Sequence, residues 1–119
     1  MHHLRVHPRV VARLAAEIRK RGADEWNEAL LHDLSAGGAA IHTPGPLPIQ
    51  DEIDLRFRFP AEDGGEETAI EVACLVVRSE AAAEAAPERL FDSGLHFLNL
   101  HGESFDRVRA YVWKVLDPD

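Results

Sequence analysis

The chain has 119 residues and a single cysteine, Cys74, which suffices for one domain with one core and excludes an internal disulfide. Its apolar fraction of 45% and charged fraction of 29% are those of a soluble globular protein. No apolar run reaches the length of a membrane span, and no hydrophobic signal region follows Met1-His2-His3, so a cytoplasmic location is expected.

The charge is distributed unevenly. Residues 1–21 carry Arg5, Arg9, Arg13, Arg19, Lys20 and Arg21 against Glu17, a net of +5. The whole chain is −8, which leaves −13 for residues 22–119. An acidic body disfavours a DNA or RNA polymer as partner, because phosphate contacts supply most of that affinity. A basic lead-in on such a body suits a small anion. Arg19, Lys20 and Arg21 are expected to pair with the acidic surface.

Residues 1–9 read as an extended, flexible segment, since Pro8 lacks an N–H and pushes His7 towards β or polyproline geometry. Residues 10–21 admit two readings. Val10, Val11, Leu14, Ala15 and Ile18 fall at helical spacing, with Gly22 where a helix would stop. A strand instead places Leu14, Ala16 and Ile18 on one face and Arg13, Ala15, Glu17 and Arg19 on the other. Gly22–Glu25 is a turn, Trp26–Leu34 a strand paired back in a hairpin, and Ala39–Thr43 a short strand. Three prolines between Pro44 and Pro48 make a loop. Glu52–Phe59 alternates without fault, with Ile53, Leu55, Phe57 and Phe59 on one face.

Pro60–Glu67 is an acidic loop. Ala69–Ser79 has Ile70, Val72, Cys74 and Val76 on one face and Leu75 and Val77 on the other, the pattern of a strand covered on both sides near its end. Glu80–Arg89 reads as a loop or a short helical turn, and Gly94–Leu100 as the last strand. Residues 103–116 form a helix with Phe105, Val108, Val112, Val115 and Leu116 as its apolar stripe. About six antiparallel strands and one helix suggest a mainly β fold, a six-stranded barrel capped by that helix. The expected organisation is one domain: segment 1–9, barrel 10–100 and helix 103–116.

Two motifs frame the first hairpin. Arg5-Val6-His7-Pro8-Arg9 has the form Arg-x-x-x-Arg. Asp33-Leu34-Ser35-Ala36-Gly37-Gly38 has the form Asp-x-Ser-x-x-Gly. In order, separation and place relative to the strands they resemble the PilZ domain, the bacterial receptor module for cyclic di-GMP. Pro8, Leu47–Asp51 and Gly94-Leu95-His96-Phe97 agree with it, and the resemblance covers nearly the whole chain. It implies a split-barrel fold in which residues 10–21 are a strand, and a ligand site of Arg5, Arg9, Asp33, Ser35 and Gly38. Leu4, Gly37 and Gly94 are expected in support. In the family the position of Leu4 is sometimes another arginine able to engage a second stacked nucleotide. Leucine implies one nucleotide per site.

The residue chemistry suits that ligand. Arginine's planar fork bonds phosphate oxygens bidentately and also matches guanine O6 and N7. An Asp33 carboxylate only accepts, so its natural partners on guanine are N1–H and the exocyclic amine. Ser35 bonds the ligand or fixes the loop that aims Asp33. Gly38 permits a positive φ or close backbone approach. The expected output is ordering of the N-terminal segment over the ligand, read by a downstream protein partner. The alternative is a PilZ-like protein–protein adaptor with nucleotide binding lost or dispensable.

Other classes fit less well. Ser35 lies in no Gly-x-Ser-x-Gly setting and no acid–base pair stands out, so an enzyme is not expected. The seven histidines lack Cys-x-x-Cys or His-Glu-x-x-His company, and His3/His7 and His96/His101 are read as solvated or hydrogen-bonded, with no metal. Cys74 is expected to be buried packing, and Trp26 and Trp113 are read as packing residues, not stacking platforms.

Overall fold

A computed structural model describes residues 8–60, 68–82 and 90–117. Six strands, β1 (Val10–Lys20), β2 (Asn27–Leu34), β3 (Gly38–Thr43), β4 (Glu52–Phe59), β5 (Thr68–Ala81) and β6 (Phe91–Phe97), precede one helix, α1 (Gly102–Leu116). The strands close a barrel in the order β1-β2-β3-β6-β5-β4, every neighbouring pair antiparallel. Closure leaves no unpaired sheet edge among the described residues.

Side chains of one parity fill the interior. In β1 these are Val10, Ala12, Leu14, Ala16 and Ile18, each at most 7% exposed. The strand alternation therefore wins over the helical spacing, and Val11, which made a helix plausible, is 81% exposed. Ile53, Leu55, Phe57 and Phe59 of β4 point inward as expected. Hairpin geometry overrides local propensity here because β1 pairs on both sides, with β2 and with β4.

Helix α1 covers the barrel end where β1 and β3 begin and β2, β4 and β6 finish. Val108 and Val112 are buried against the core, Tyr111 stacks on Phe59 with ring centres 4.4 Å apart, and Arg107 donates to Thr68. The apolar stripe is shorter than the spacing suggests: Val115 and Leu116 are 42% and 45% exposed, because the helix outruns the barrel mouth.

Several boundaries shift. Glu80 and Ala81, expected in a loop or helical turn, extend β5, and the last strand starts at Phe91 and ends at Phe97 instead of running from Gly94 to Leu100. The reason is pairing: Glu80 and Ala81 lie opposite Asp92 and Phe91, and Ser93, wholly buried, bonds Ser79. Val77 is exposed, not covered, because β5 slips register between Val76 and Arg78. Asn99, beyond the strand, accepts the Ala73 N–H. Trp26 sits in the turn with the guanidinium groups of Arg19 and Arg56 at 4.4 and 4.0 Å from its ring centre, whereas Trp113 is 51% exposed and does not pack in the core. Arg19 pairs with Asp54 and Arg21 with Glu52, the expected surface pairing.

Candidate functional site

A row of outer-face residues crosses the barrel near the end capped by α1. Val11 lies opposite Asp33, Asp33 opposite Ala40, Ala40 opposite Gly94, and Gly94 opposite Arg78. The middle of the row is therefore a floor of an alanine and a glycine, with a carboxylate on one side and a guanidinium on the other. Ala40 is buried yet lies outside the interior core cluster. A floor this low lets a flat group approach the sheet backbone.

The Ser35–Gly38 turn holds Asp33 at the edge of this floor. Ser35 is 5% exposed. Its Oγ accepts the N–H groups of Gly37 and Gly38, both at 3.1 Å, and its own N–H donates to the Gly38 carbonyl at 2.9 Å. The hydroxyl's lone pairs are thus turned inward, so of its two expected roles the structure favours fixing the loop. Gly37 adds a second tie, its carbonyl accepting the Phe97 N–H at 3.0 Å.

Gly38 lacks a positive φ; a Cβ built on it would stand 2.2 Å from the Leu95 carbonyl oxygen. The glycine serves close approach of β3 to β6. At Gly94 the neighbour is softer: a Cβ would meet Arg78 Nε at 3.4 Å. The Arg78 guanidinium lies along Gly94 and bonds Glu80 at 3.0 Å and, more distantly, the carboxylate and carbonyl of Asp92.

The described end of the first motif meets the second at Arg9 and Asp33. Arg9 Nη1 lies 3.4 Å from Asp33 Oδ2, with side chains 48% and 29% exposed. An exposed ion pair of this kind is worth about 0–1 kcal/mol, so both groups are readily transferred to a better partner. Leu4 and Arg5 lie outside the described residues, as do His2, His3 and His7.

Beside the row lies a cluster that composition and spacing did not reveal. His32 is the extra residue where β2 slips register on β3, and both His32 and Asp33 reach outer-face partners, the re-aiming that a bulge produces. His32 stacks on His42 with ring centres 4.1 Å apart and donates from Nε2 to Asp92 Oδ1 at 2.9 Å. Burial, with the neighbouring His32 charge, lowers the His42 pKa from its ordinary value. For Asp92 burial pushes the carboxyl up, but the His32 hydrogen bond together with the His32, Arg78 and His42 charges holds it below the usual value. Only the cross-strand register brings these three residues together, so the sequence carries no spacing signal for them.

Elsewhere on the outer face a concavity of about 750 Å³ is lined by Ala15, Glu17, Leu30, Arg56, Arg58 and His42 among others. Its lining shares His42 with the cluster but omits Asp33, and Arg56 there is already paired with Glu17 at 2.7 Å. Cys74 is buried and its thiol is pushed up to about 12 by burial, with a smaller contribution from Asp54. It is packing, not a nucleophile.

A family model described as the PilZ domain matches residues 3–113. A search of curated protein sequences found no match. Among solved structures the chain is similar to the Bacillus subtilis inhibitor of motility, MotI/DgrA, at 22% identity and a TM-score of 0.76, covering 95% of this chain and 51% of that one. It is also similar to MrkH of K. pneumonia in its c-di-GMP complex, at 18% identity and a TM-score of 0.70, covering 97% and 53%. The isolated PilZ domain of YcgR from Escherichia coli, solved with c-di-GMP, gives 14% identity and a TM-score of 0.67, covering 98% and 94%. The chain thus spans about half the length of the first two and nearly all of the third. At these identities the likeness establishes the fold, and the family match over most of the chain establishes that it belongs to the PilZ domain family.

Proposed function

We propose that this PilZ domain is a receptor for cyclic di-GMP, bound on the outer-face row that runs from Val11 to Arg78. The observation that carries this reading is the Arg9–Asp33 pair set at the edge of the Ala40–Gly94 floor. Two similar structures, MrkH and the YcgR domain, were solved with c-di-GMP, which supports the ligand's identity.

In this reading a guanine lies over the small-residue floor. Asp33 leaves Arg9 and accepts from guanine N1–H and the exocyclic amine, a donor pair adenine lacks. A site built for those hydrogen bonds rejects a ligand that leaves them unmade. Arg9, released, and Arg5 bond phosphate oxygens and the guanine Hoogsteen edge. Ser35 and Gly37 hold the turn that aims Asp33, and Gly38 and Gly94 keep the strands close enough for the floor. With leucine at position 4, one nucleotide binds per site.

The signal is a change in the N-terminal segment, which closes over the ligand and is read by a protein partner. Ordering a residue costs about 1–2 kcal/mol and charge-assisted bonds contribute about 1.5–3 kcal/mol each, so the two arginines must each bond several acceptors to offset the ordering of a short clasp. No covalent change to the nucleotide is part of this reading.

Hydrogen exchange with and without cyclic di-GMP tests the clasp. Protection of residues 2–10 should rise on binding, and equal protection in both states would sink it. Competition with GTP and cyclic di-AMP tests the guanine reading, and displacement by cyclic di-AMP at equal concentration would contradict it. A titration reaching two nucleotides per chain would overturn the assignment drawn from Leu4.

A further inference from the structure

We infer that His32, His42 and Asp92 form a site for a divalent transition-metal ion of the zinc class. One ligand comes from each of three adjacent strands, β2, β3 and β6. The three donor atoms already lie within 4.8 Å of one another. All three side chains are partly buried, so the donors are held without being sealed from solvent.

The donor set is what zinc selects. Two imidazoles and one carboxylate are a common three-ligand set, with metal–ligand bonds of about 2.0–2.2 Å. Donors in tetrahedral array stand about 3.4 Å apart for bonds of that length. His32 Nε2 and Asp92 Oδ1, now at 2.9 Å, would open by about 0.5 Å, within ordinary side-chain freedom. His32 then binds through Nε2, with Nδ1 carrying the remaining ring proton.

The surroundings match the outer partners of a metal ligand. Arg78 Nη1 lies 3.6 Å from Asp92 Oδ2, the oxygen that does not face His32. It steadies the carboxylate while leaving Oδ1 for the ion, as second-layer contacts commonly do. Glu80, bonded to the same arginine, offsets its charge. The bulge at His32 supplies the geometry, since without the register slip that imidazole would not share a face with both Asp33 and Asp92. Three protein ligands leave a fourth position for water or another ligand atom.

The test uses metal alone, without nucleotide, so it succeeds or fails independently of cyclic di-GMP binding. Histidines near the start of the chain can also hold metal, so the background is the full chain carrying His2→Ala, His3→Ala and His7→Ala. Zinc chloride titrated into this protein should bind one to one, and cobalt(II) should give the visible bands of a four-coordinate ion. His42→Ala and Asp92→Asn on that background should each weaken binding about tenfold or more. In the unaltered protein, zinc should move the imidazole resonances of His32 and His42, a readout that does not depend on the variants folding. Absence of zinc binding in the background protein, unchanged affinity in His42→Ala, or unmoved His32 and His42 resonances at saturating zinc would each overturn the site.

Discussion

Gly38→Ala perturbs the closest backbone approach near the site. The added methyl would stand 2.2 Å from the Leu95 carbonyl oxygen, whereas ordinary Cβ contacts begin at 3.4 Å. The two strands must therefore separate by about 1.2 Å, against a normal spacing of about 4.8 Å. Separation loosens the ladder bonds of β3 to β6 around Gly38–His96 and the Phe97 N–H to Gly37 carbonyl bond. Overpacking of this kind costs about 1–3 kcal/mol, and each weakened bond adds about 1 kcal/mol. The expected loss is about 3 kcal/mol, a large share of a small domain's stability. Gly94→Ala is the control, because its methyl would meet a flexible Arg78 side chain at 3.4 Å and should cost under about 1 kcal/mol. Urea unfolding of both variants, at unchanged m-value, measures the difference. Equal losses, or a Gly38→Ala loss under about 0.5 kcal/mol, would refute the close-approach reasoning.

Ser35→Ala removes the acceptor for two turn N–H groups and should destabilise by about 1–3 kcal/mol. Amide exchange at Gly37 and Gly38 should accelerate beyond the global change, and uniform acceleration would count against a local fastener. Trp26→Leu keeps apolar cover but removes the ring beneath Arg19 and Arg56. At about 0.5–1 kcal/mol per exposed cation–π contact, a loss of about 1–2 kcal/mol is expected by the same unfolding assay, and no loss would discount the sandwich. Cys74 should resist alkylation at pH 8.5 unless the chain unfolds. Because its folded pKa is raised from 9.0 to about 12, its contribution to stability is complete below 9 and falls as pH rises through that window. Rapid alkylation of the native protein would contradict its burial.

The β4 strand was legible because every inward position is a large apolar residue and every outward one is charged. The β1 strand was legible only through the family resemblance, since Ala12, Ala15 and Ala16 suit either periodicity and the exposed Val11 completes a false helical stripe. Phe91–Ser93 lies outside the expected last strand, Gly94–Leu100. The cause is that Ser93 faces inward and is satisfied by Ser79, while Asp92 faces the outer cluster. The Asp33–Gly38 turn was readable as a motif, and its hydrogen bonds explain the need for serine and glycine there. Arg78, Ala40 and the His32–His42–Asp92 group were unreadable for one physical reason. Their proximity depends on strand register and on bulges at His32 and Val77, neither of which leaves a periodic trace. The histidine spacings carry no sign of this group, whose members span residues 32–92. Arg5 and Leu4 fall on the segment outside the described residues, so their part in the site rests on the motif.

Calorimetric titration of cyclic di-GMP into the wild-type chain and into Asp33→Ala tests the central claim most directly. The wild type should bind one nucleotide per chain, and Asp33→Ala should lose about tenfold or more in affinity, the consequence of about 1.4 kcal/mol or more from unmade charge-assisted bonds. No heat with the wild type, or the same affinity in both proteins, would contradict it.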